Sequence, residues 1–161
     1  MDDATTHARR HDIPAWVADY IGIPFVEHGR DRNSWDCWGC VRLILDERFG
    51  IPLPSYAGAY PDTTAAAELG RLIRAEMTPW REVTGHERAG DVALLRVRGA
   101  PMHVGLVVAP GVMLHVEQGI DSMLERYDGP RWVKRLCGVY RYQRSENRDQ
   151  MKSGPRDESD L

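Results

Sequence analysis

Apolar positions recur along this chain at two spacings, and the change from one to the other falls near residue 79. Before it the spacing is helical. Trp16, Val17, Tyr20 and Ile21 form one stripe behind start signals at Asp12 and Pro14, which predicts a short helix over 14–21. Gly22-Ile23-Pro24-Phe25 and a polar loop over 28–34 follow. From 36 to 49 the positions Val41, Ile44, Leu45 and Arg48 again keep helical spacing. Asp36 is a good N-cap, Gly50 a stop signal, and Pro52 and Pro54 lie beyond it. After an aromatic, glycine-containing loop over 55–62, Thr63 or Thr64 caps a third predicted helix. Leu69, Leu72, Ile73 and Met77 form its apolar side, and Gly70 weakens it slightly.

After Pro79 the runs are short and β-type: 91–97, 103–108, 112–117 and 138–142. Turn signals at Arg98-Gly99-Ala100-Pro101 and Ala109-Pro110-Gly111 separate them. Helices first and strands afterwards predict an α+β fold. The expected organisation is a polar N-terminal segment over 1–12, one folded domain over 13–143, and a charged tail over 144–161. The tail is almost without apolar residues and is expected to be flexible or docked on a partner.

A chain of 161 residues with 42% hydrophobic content is consistent with one packed domain. The net charge of −3 argues against a nucleic-acid binder, which usually carries a basic face. No apolar run reaches the roughly 18 residues of a membrane-spanning helix. The polar N-terminus has no secretory signal, so synthesis in the cytoplasm is expected. Three cysteines, Cys37, Cys40 and Cys137, do not suggest a disulfide framework; a thiol with histidines further along fits a catalytic role.

Cys37 falls in the first turn of the predicted second helix. Helix-start N–H groups and the dipole favour thiolate there, and thiolate is the reactive form. A small buried hydrophobe is the commoner fate of a free cysteine. His103 opens one apolar run and His115 sits inside the next. If those runs pair as a hairpin about Ala109-Pro110-Gly111, the two rings face the same side at neighbouring positions. One imidazole can then orient the other, the arrangement a cysteine–histidine site needs. Either histidine alone would more simply be a satisfied core or surface residue. His28 lies in the loop before Cys37 and can border the same cleft, whereas His7, His11 and His86 have no comparable setting.

These residues resemble a known family. Asp36-Cys37-Trp38-Gly39-Cys40-Val41, then Gly90-Asp91-Val92, His103-Val104-Gly105 and Met113-Leu114-His115, look like the NlpC/P60 cysteine peptidases. Asp36-Cys37-Trp38-Gly39, Val41-Arg42 and Gly50-Ile51-Pro52-Leu53-Pro54-Ser55-Tyr56 resemble its phage-type branch, the cell wall peptidases of tail tips and gene transfer agents. The resemblance spans roughly residues 16–142. It implies a papain-like fold, with N-terminal helices packed on an antiparallel sheet. It implies hydrolysis of peptidoglycan stem peptides, typically between D-glutamate and a diamino acid, with Cys37 as nucleophile, His103 as base and His115 as third polar residue. No metal or cofactor is implied. Expected partners are the stem peptides and the hub proteins of a phage tail tip or gene transfer agent. The expected setting is a virion, acting in the periplasm or wall of a target cell. Asp36, Phe25, Trp38 and His28 are the candidate substrate-binding residues. Phe25 stands where the family commonly has tyrosine, Trp38 where serine is frequent, and Cys40 where an aliphatic residue is usual.

Three other readings compete. Cys37-x-x-Cys40 at a helix start resembles a dithiol redox motif, but lacks the preceding buried strand. Cys37, Cys40, His103 and His115 could hold zinc, although the histidines lack finger spacing. A structural tail-tip subunit could retain the fold for assembly, with the loop 56–60 and the tail as docking surfaces.

Overall fold

The computed structural model describes residues 12–55 and 79–143. The predicted third helix, the aromatic loop over 56–60 and the charged tail lie outside the described residues.

The first expected helix is a 3-10 helix, Ala15–Tyr20, rather than an α-helix. Six residues close too few i→i−4 bonds to favour the wider form, and no side chain caps its start. Its apolar stripe is real: Val17 and Tyr20 are buried. A two-residue hairpin, β1 (Arg30–Asp31) and β2 (Ser34–Trp35), follows where a loop was expected. The Asp31 carboxylate closes it by accepting from the N–H groups of Asn33 and Ser34.

Helix α1 runs Cys37–Phe49, with both expected caps in place. Asp36 is extended and accepts from the Gly39 N–H; Gly50 adopts the left-handed conformation (φ 65°) and returns its N–H to Asp46. Cys40, Val41, Ile44 and Leu45 are fully buried. Each of the larger apolar side chains contributes about 1.5–3 kcal/mol by leaving water.

Six antiparallel strands form the sheet in the order β3-β8-β4-β5-β6-β7. They are β3 (Trp80–Glu82), β4 (Val92–Val97), β5 (Ala100–Ala109), β6 (Val112–Glu117), β7 (Ile120–Arg126) and β8 (Leu136–Tyr142). The expected run 112–117 coincides with β6, while β5 begins earlier than its apolar run. The sequence reading missed β3 and β7. Both lie at sheet edges, and Ser122 is the sole buried side chain in β7, so neither carries apolar alternation. Ser122 fastens that edge: its hydroxyl accepts from Ile23 N–H at 2.9 Å and donates to the Tyr20 carbonyl at 2.6 Å.

Alternation along the strands gives the sheet two packed faces. Val92, Leu94, Val104, Leu106, Leu114 and Val116 join the buried side of α1. Ala93, Leu95, Val107, Met113 and Val139 pack with Tyr127 and Trp132 on the opposite side. The architecture is α+β, with α1 packed on an antiparallel sheet, as expected.

Candidate active site

Cys37 is held by its cap. The buried Asp36 carboxylate accepts from Gly39 N–H (2.9 Å), His28 N–H (3.0 Å) and the Arg30 guanidinium (2.7 Å), fixing the helix start against the preceding loop. Gly39 permits the approach, since a Cβ there would lie 2.1 Å from the Gly29 carbonyl oxygen. The register of β5 and β6, with Leu106 opposite Leu114, makes His103 and His115 diagonal neighbours on one face. That face is the one carrying Trp132. Cys37 comes from the other side of the sheet and meets β5 at its backbone, where the Val104 N–H, next to His103, hydrogen-bonds the sulfur. Cys37 and His103 border one cavity of about 240 Å³, together with Phe25, Val97, Arg98, Met102, Val116, Glu117, Gln118 and Trp132.

Behind His103 runs a chain of polar contacts. His103 Nε2 lies 2.8 Å from His115 Nδ1, and His115 Nε2 lies 2.9 Å from Glu125 Oε1. Arg131 donates to Glu125 at 2.8 Å and to Glu117 at 2.6 Å. The Trp132 ring stacks on the His103 ring (5.3 Å, 16°) and meets His115 edge-on, which restricts both imidazoles.

Proton positions follow from donor and acceptor inventory. An ionised Glu125 carboxylate only accepts, so His115 carries its proton on Nε2. Neutral His115 then offers a lone pair at Nδ1, so His103 carries its proton on Nε2. The other nitrogen of His103, Nδ1, is left as a free base.

The ionisation states agree with that pattern. Burial pulls His103 down to about 3, aided by the neighbouring His115 and Arg131. Burial also lowers His115, against the opposing pull of Glu117 and Glu125. Burial alone would raise Glu125, but the Arg131 guanidinium helps to outweigh it and holds the carboxyl below its usual range. Both rings are therefore neutral at pH 7. The thiol departs from the sequence expectation. Burial, then the Asp36 carboxylate, push Cys37 up to about 12, although the N–H groups of Val104 and Trp38 act the other way. The capping residue that builds the helix start also opposes thiolate formation there. The resting pair is thiol and imidazole.

Of the candidate substrate-binding residues, Phe25 stands in the cavity wall. Asp36, Trp38 and His28 stand outside it. Asp36 is spent on its three donors. Trp38 turns its indole N–H to the Pro54 carbonyl (2.9 Å) and borders a separate hollow with Trp80 and Tyr142. His28 has a left-handed backbone (φ 64°) and contributes its N–H to Asp36. Sequence reasoning missed Glu125, Arg131 and Trp132. Glu125 sits on the unrecognised β7, and the other two on a turn with no periodic signal.

Among the described residues, one group of ligand atoms converges as a metal site would: His115, Glu117 and Glu125, within 4.8 Å of one another. Arg131 already supplies positive charge to both carboxylates. The zinc set Cys37, Cys40, His103 and His115 does not form such a group there. All three cysteines are free thiols. Among the described residues no helix is long and apolar enough to cross a membrane.

Comparison with known proteins bears on family and fold. The sequence pattern of the NlpC/P60 family matches residues 22–141. A search among curated proteins returned no match. Among solved structures, one similar to this chain is an NLP/P60 family protein from Staphylococcus aureus described as similar to a lipoprotein. It shows 20% identity and a TM-score of 0.56, over 90% of this chain and 46% of that protein. The NlpC/p60 domain of the peptidoglycan hydrolase SagA shows 20% identity and a TM-score of 0.51, over 78% of this chain and 94% of that domain. NlpC1 from Trichomonas vaginalis shows 15% identity and a TM-score of 0.57, over 78% and 41%. The chain thus spans about half the length of the staphylococcal protein.

Proposed function

This chain belongs to the NlpC/P60 family, and from that premise we propose that it is a cysteine peptidase cutting peptidoglycan stem peptides, at a bond between D-glutamate and a diamino acid. The observation that supports the reading is the cavity lined by both Cys37 and His103, with His115 and then Glu125 in hydrogen-bond contact behind His103.

The neutral resting pair dictates the order of events. As the substrate carbonyl approaches, the Cys37 proton moves to His103 Nδ1 and the sulfur bonds to the carbonyl carbon. The negative charge passes to the carbonyl oxygen, where the Cys37 backbone N–H at the helix start can receive it. His103 then gives its proton to the leaving amine as the C–N bond breaks. Water next loses a proton to the same nitrogen, attacks the thioester and frees the acid, and the thiol regains the proton. His115 and Glu125 hold the His103 ring and its tautomer throughout.

Mass spectrometry of muropeptides after incubation with the protein tests both activity and bond. New termini at the D-glutamyl–diamino acid link are expected with the wild type and none with Cys37→Ala, whose fold should be unchanged by circular dichroism. Equal digestion by both would refute the assignment.

We place its action on a phage-like tail tip, delivered to the periplasm or wall of a target cell after synthesis in the cytoplasm. The phage-type sequence pieces support this, because they contact one another: besides Trp38 on Pro54, the Arg42 guanidinium donates to the Leu53 carbonyl at 2.9 Å. Co-purification with tail-tip hub proteins tests it; recovery only as a free chain from particle-producing cells would count against it.

A further inference from the structure

A second hollow adjoins the first. About 560 Å³ in volume, it is lined by Arg96, Val97, Arg98, Gly99, Lys134 and Arg135. Val97 and Arg98 also border the Cys37 cavity, so the two hollows share a wall. Four of its six lining residues are cations and none is a carboxylate. The whole chain is net acidic at −3, so this concentration does not simply reflect a basic protein.

Its walls are held in place by backbone. The tip of the β4–β5 hairpin turns through Arg98 and Gly99, both left-handed (φ 54° and 77°). The Arg96 N–H donates to the Arg135 carbonyl at 2.7 Å, tying that tip to the segment entering β8. The Arg135 guanidinium lies over the Trp132 ring, the same indole that stacks on His103. The hollow is thus referenced to the base.

We propose that this groove binds carboxylates of the peptide whose bond is cut, setting a preference for stem peptides whose side carboxylates are free rather than amidated. The inference rests on the peptidase reading. The wall shared through Val97 and Arg98 sets an anion held there next to the cavity that takes the scissile bond. Guanidinium groups suit carboxylates because their paired N–H donors match the two oxygens. The groups are exposed, so each contact is modest and should act on KM. A phosphodiester wall polymer offers similar charge but no such link to the scissile bond.

The test uses the full chain, a stem tripeptide with free carboxylates, and the same peptide with its side carboxylates amidated. Cleavage is followed with the wild type and with the double variant Arg96→Gln/Lys134→Gln, which leaves Arg135 on the Trp132 ring. Binding is measured calorimetrically in the Cys37→Ala background with and without the same two changes. The wild type should favour the free acid through KM. The double variant should raise KM for the acid roughly three- to tenfold, leaving kcat and the amidated substrate unchanged. Binding should fall in parallel, and added teichoic acid should not compete at equal charge. An acid-to-amide ratio identical in both proteins would overturn the groove while cleavage still upheld the peptidase. Carboxylate-dependent binding without cleavage by the wild type would uphold the groove and remove the peptidase reading. Competition by the polymer with no acid-to-amide discrimination would assign the cations to wall attachment instead, and overturn the proposal.

Discussion

Replacing Glu125 by glutamine keeps the shape of the site and removes only its charge, so the hydrogen-bond logic predicts a smaller effect than truncation. Glu125 Oε1 accepts from both His115 Nε2 and Arg131 Nη1. An amide oxygen has two lone pairs, so a glutamine oxygen at that position accepts from both donors and leaves the tautomers of His115 and His103 as they are. What is lost is the carboxylate charge, which strengthens both bonds and favours the positive charge that His103 takes on with the thiol proton. A hydrogen bond to a charged group contributes about 1.5–3 kcal/mol, against about 0.5–1.5 kcal/mol for a neutral one. The difference of about 1–1.5 kcal/mol should lower kcat by about 5- to 10-fold with KM little changed. Glu125→Ala removes the acceptor and leaves the His115 ring free to change tautomer, so its loss should be larger, about 10- to 100-fold. Hydrolysis kinetics give the rates, and nitrogen-15 shifts of the two rings report the tautomers without any substrate. A glutamine variant with inverted ring tautomers, or one as slow as the alanine variant, would refute the proton assignment.

Other consequences can be checked separately. Because burial and Asp36 hold the Cys37 thiol up at about 12, its alkylation by iodoacetamide, read at that peptide by mass spectrometry, should be slow at pH 7. It should climb about tenfold per pH unit into the alkaline range; a plateau already reached at pH 6 would contradict a neutral resting pair. The His103 pKa is depressed to about 3 from an ordinary 6.5, so between these values the unfolded chain binds more protons than the folded one. Stability should be full above pH 6.5 and decline as pH falls towards 3, and His103→Gln should flatten the melting temperature over that window. An unchanged slope would show that other groups dominate. Asp36→Ala takes the carboxylate from the Arg30 guanidinium, which keeps Ser55 and the Gly29 carbonyl, and takes an acceptor from the N–H groups of Gly39 and His28. It should cost about 3–5 kcal/mol in urea unfolding, whereas Asp36→Asn, which keeps a cap, should cost less.

Much of the site was legible because its members sit where periodicity is strong. Asp36, the apolar stripe of α1 and Gly50 locate Cys37 from local rules alone. The two apolar runs about Ala109-Pro110-Gly111 bring His103 and His115 to diagonal positions, as the hairpin register does. Glu125 was out of reach because its strand shows water a polar side, so its role appears only through pairing with β6. Trp132 and Arg131 owe their places to a turn that packs back on the sheet. The ionisation of Cys37 was misjudged for another reason. The sequence displays the helix start and its dipole, but not the depth of burial or the orientation of the Asp36 charge, and those two dominate.

Cys37 is anchored in the packing on one side of the sheet and His103 against Trp132 in the packing on the other, with the β5 backbone as their shared hinge-pin. Neither half-structure can therefore assemble a reactive pair. A chain in which only the helix or only the tryptophan layer has condensed would hold sulfur and imidazole out of register. On the proposed mechanism, reactivity should thus appear late and all at once as the chain folds.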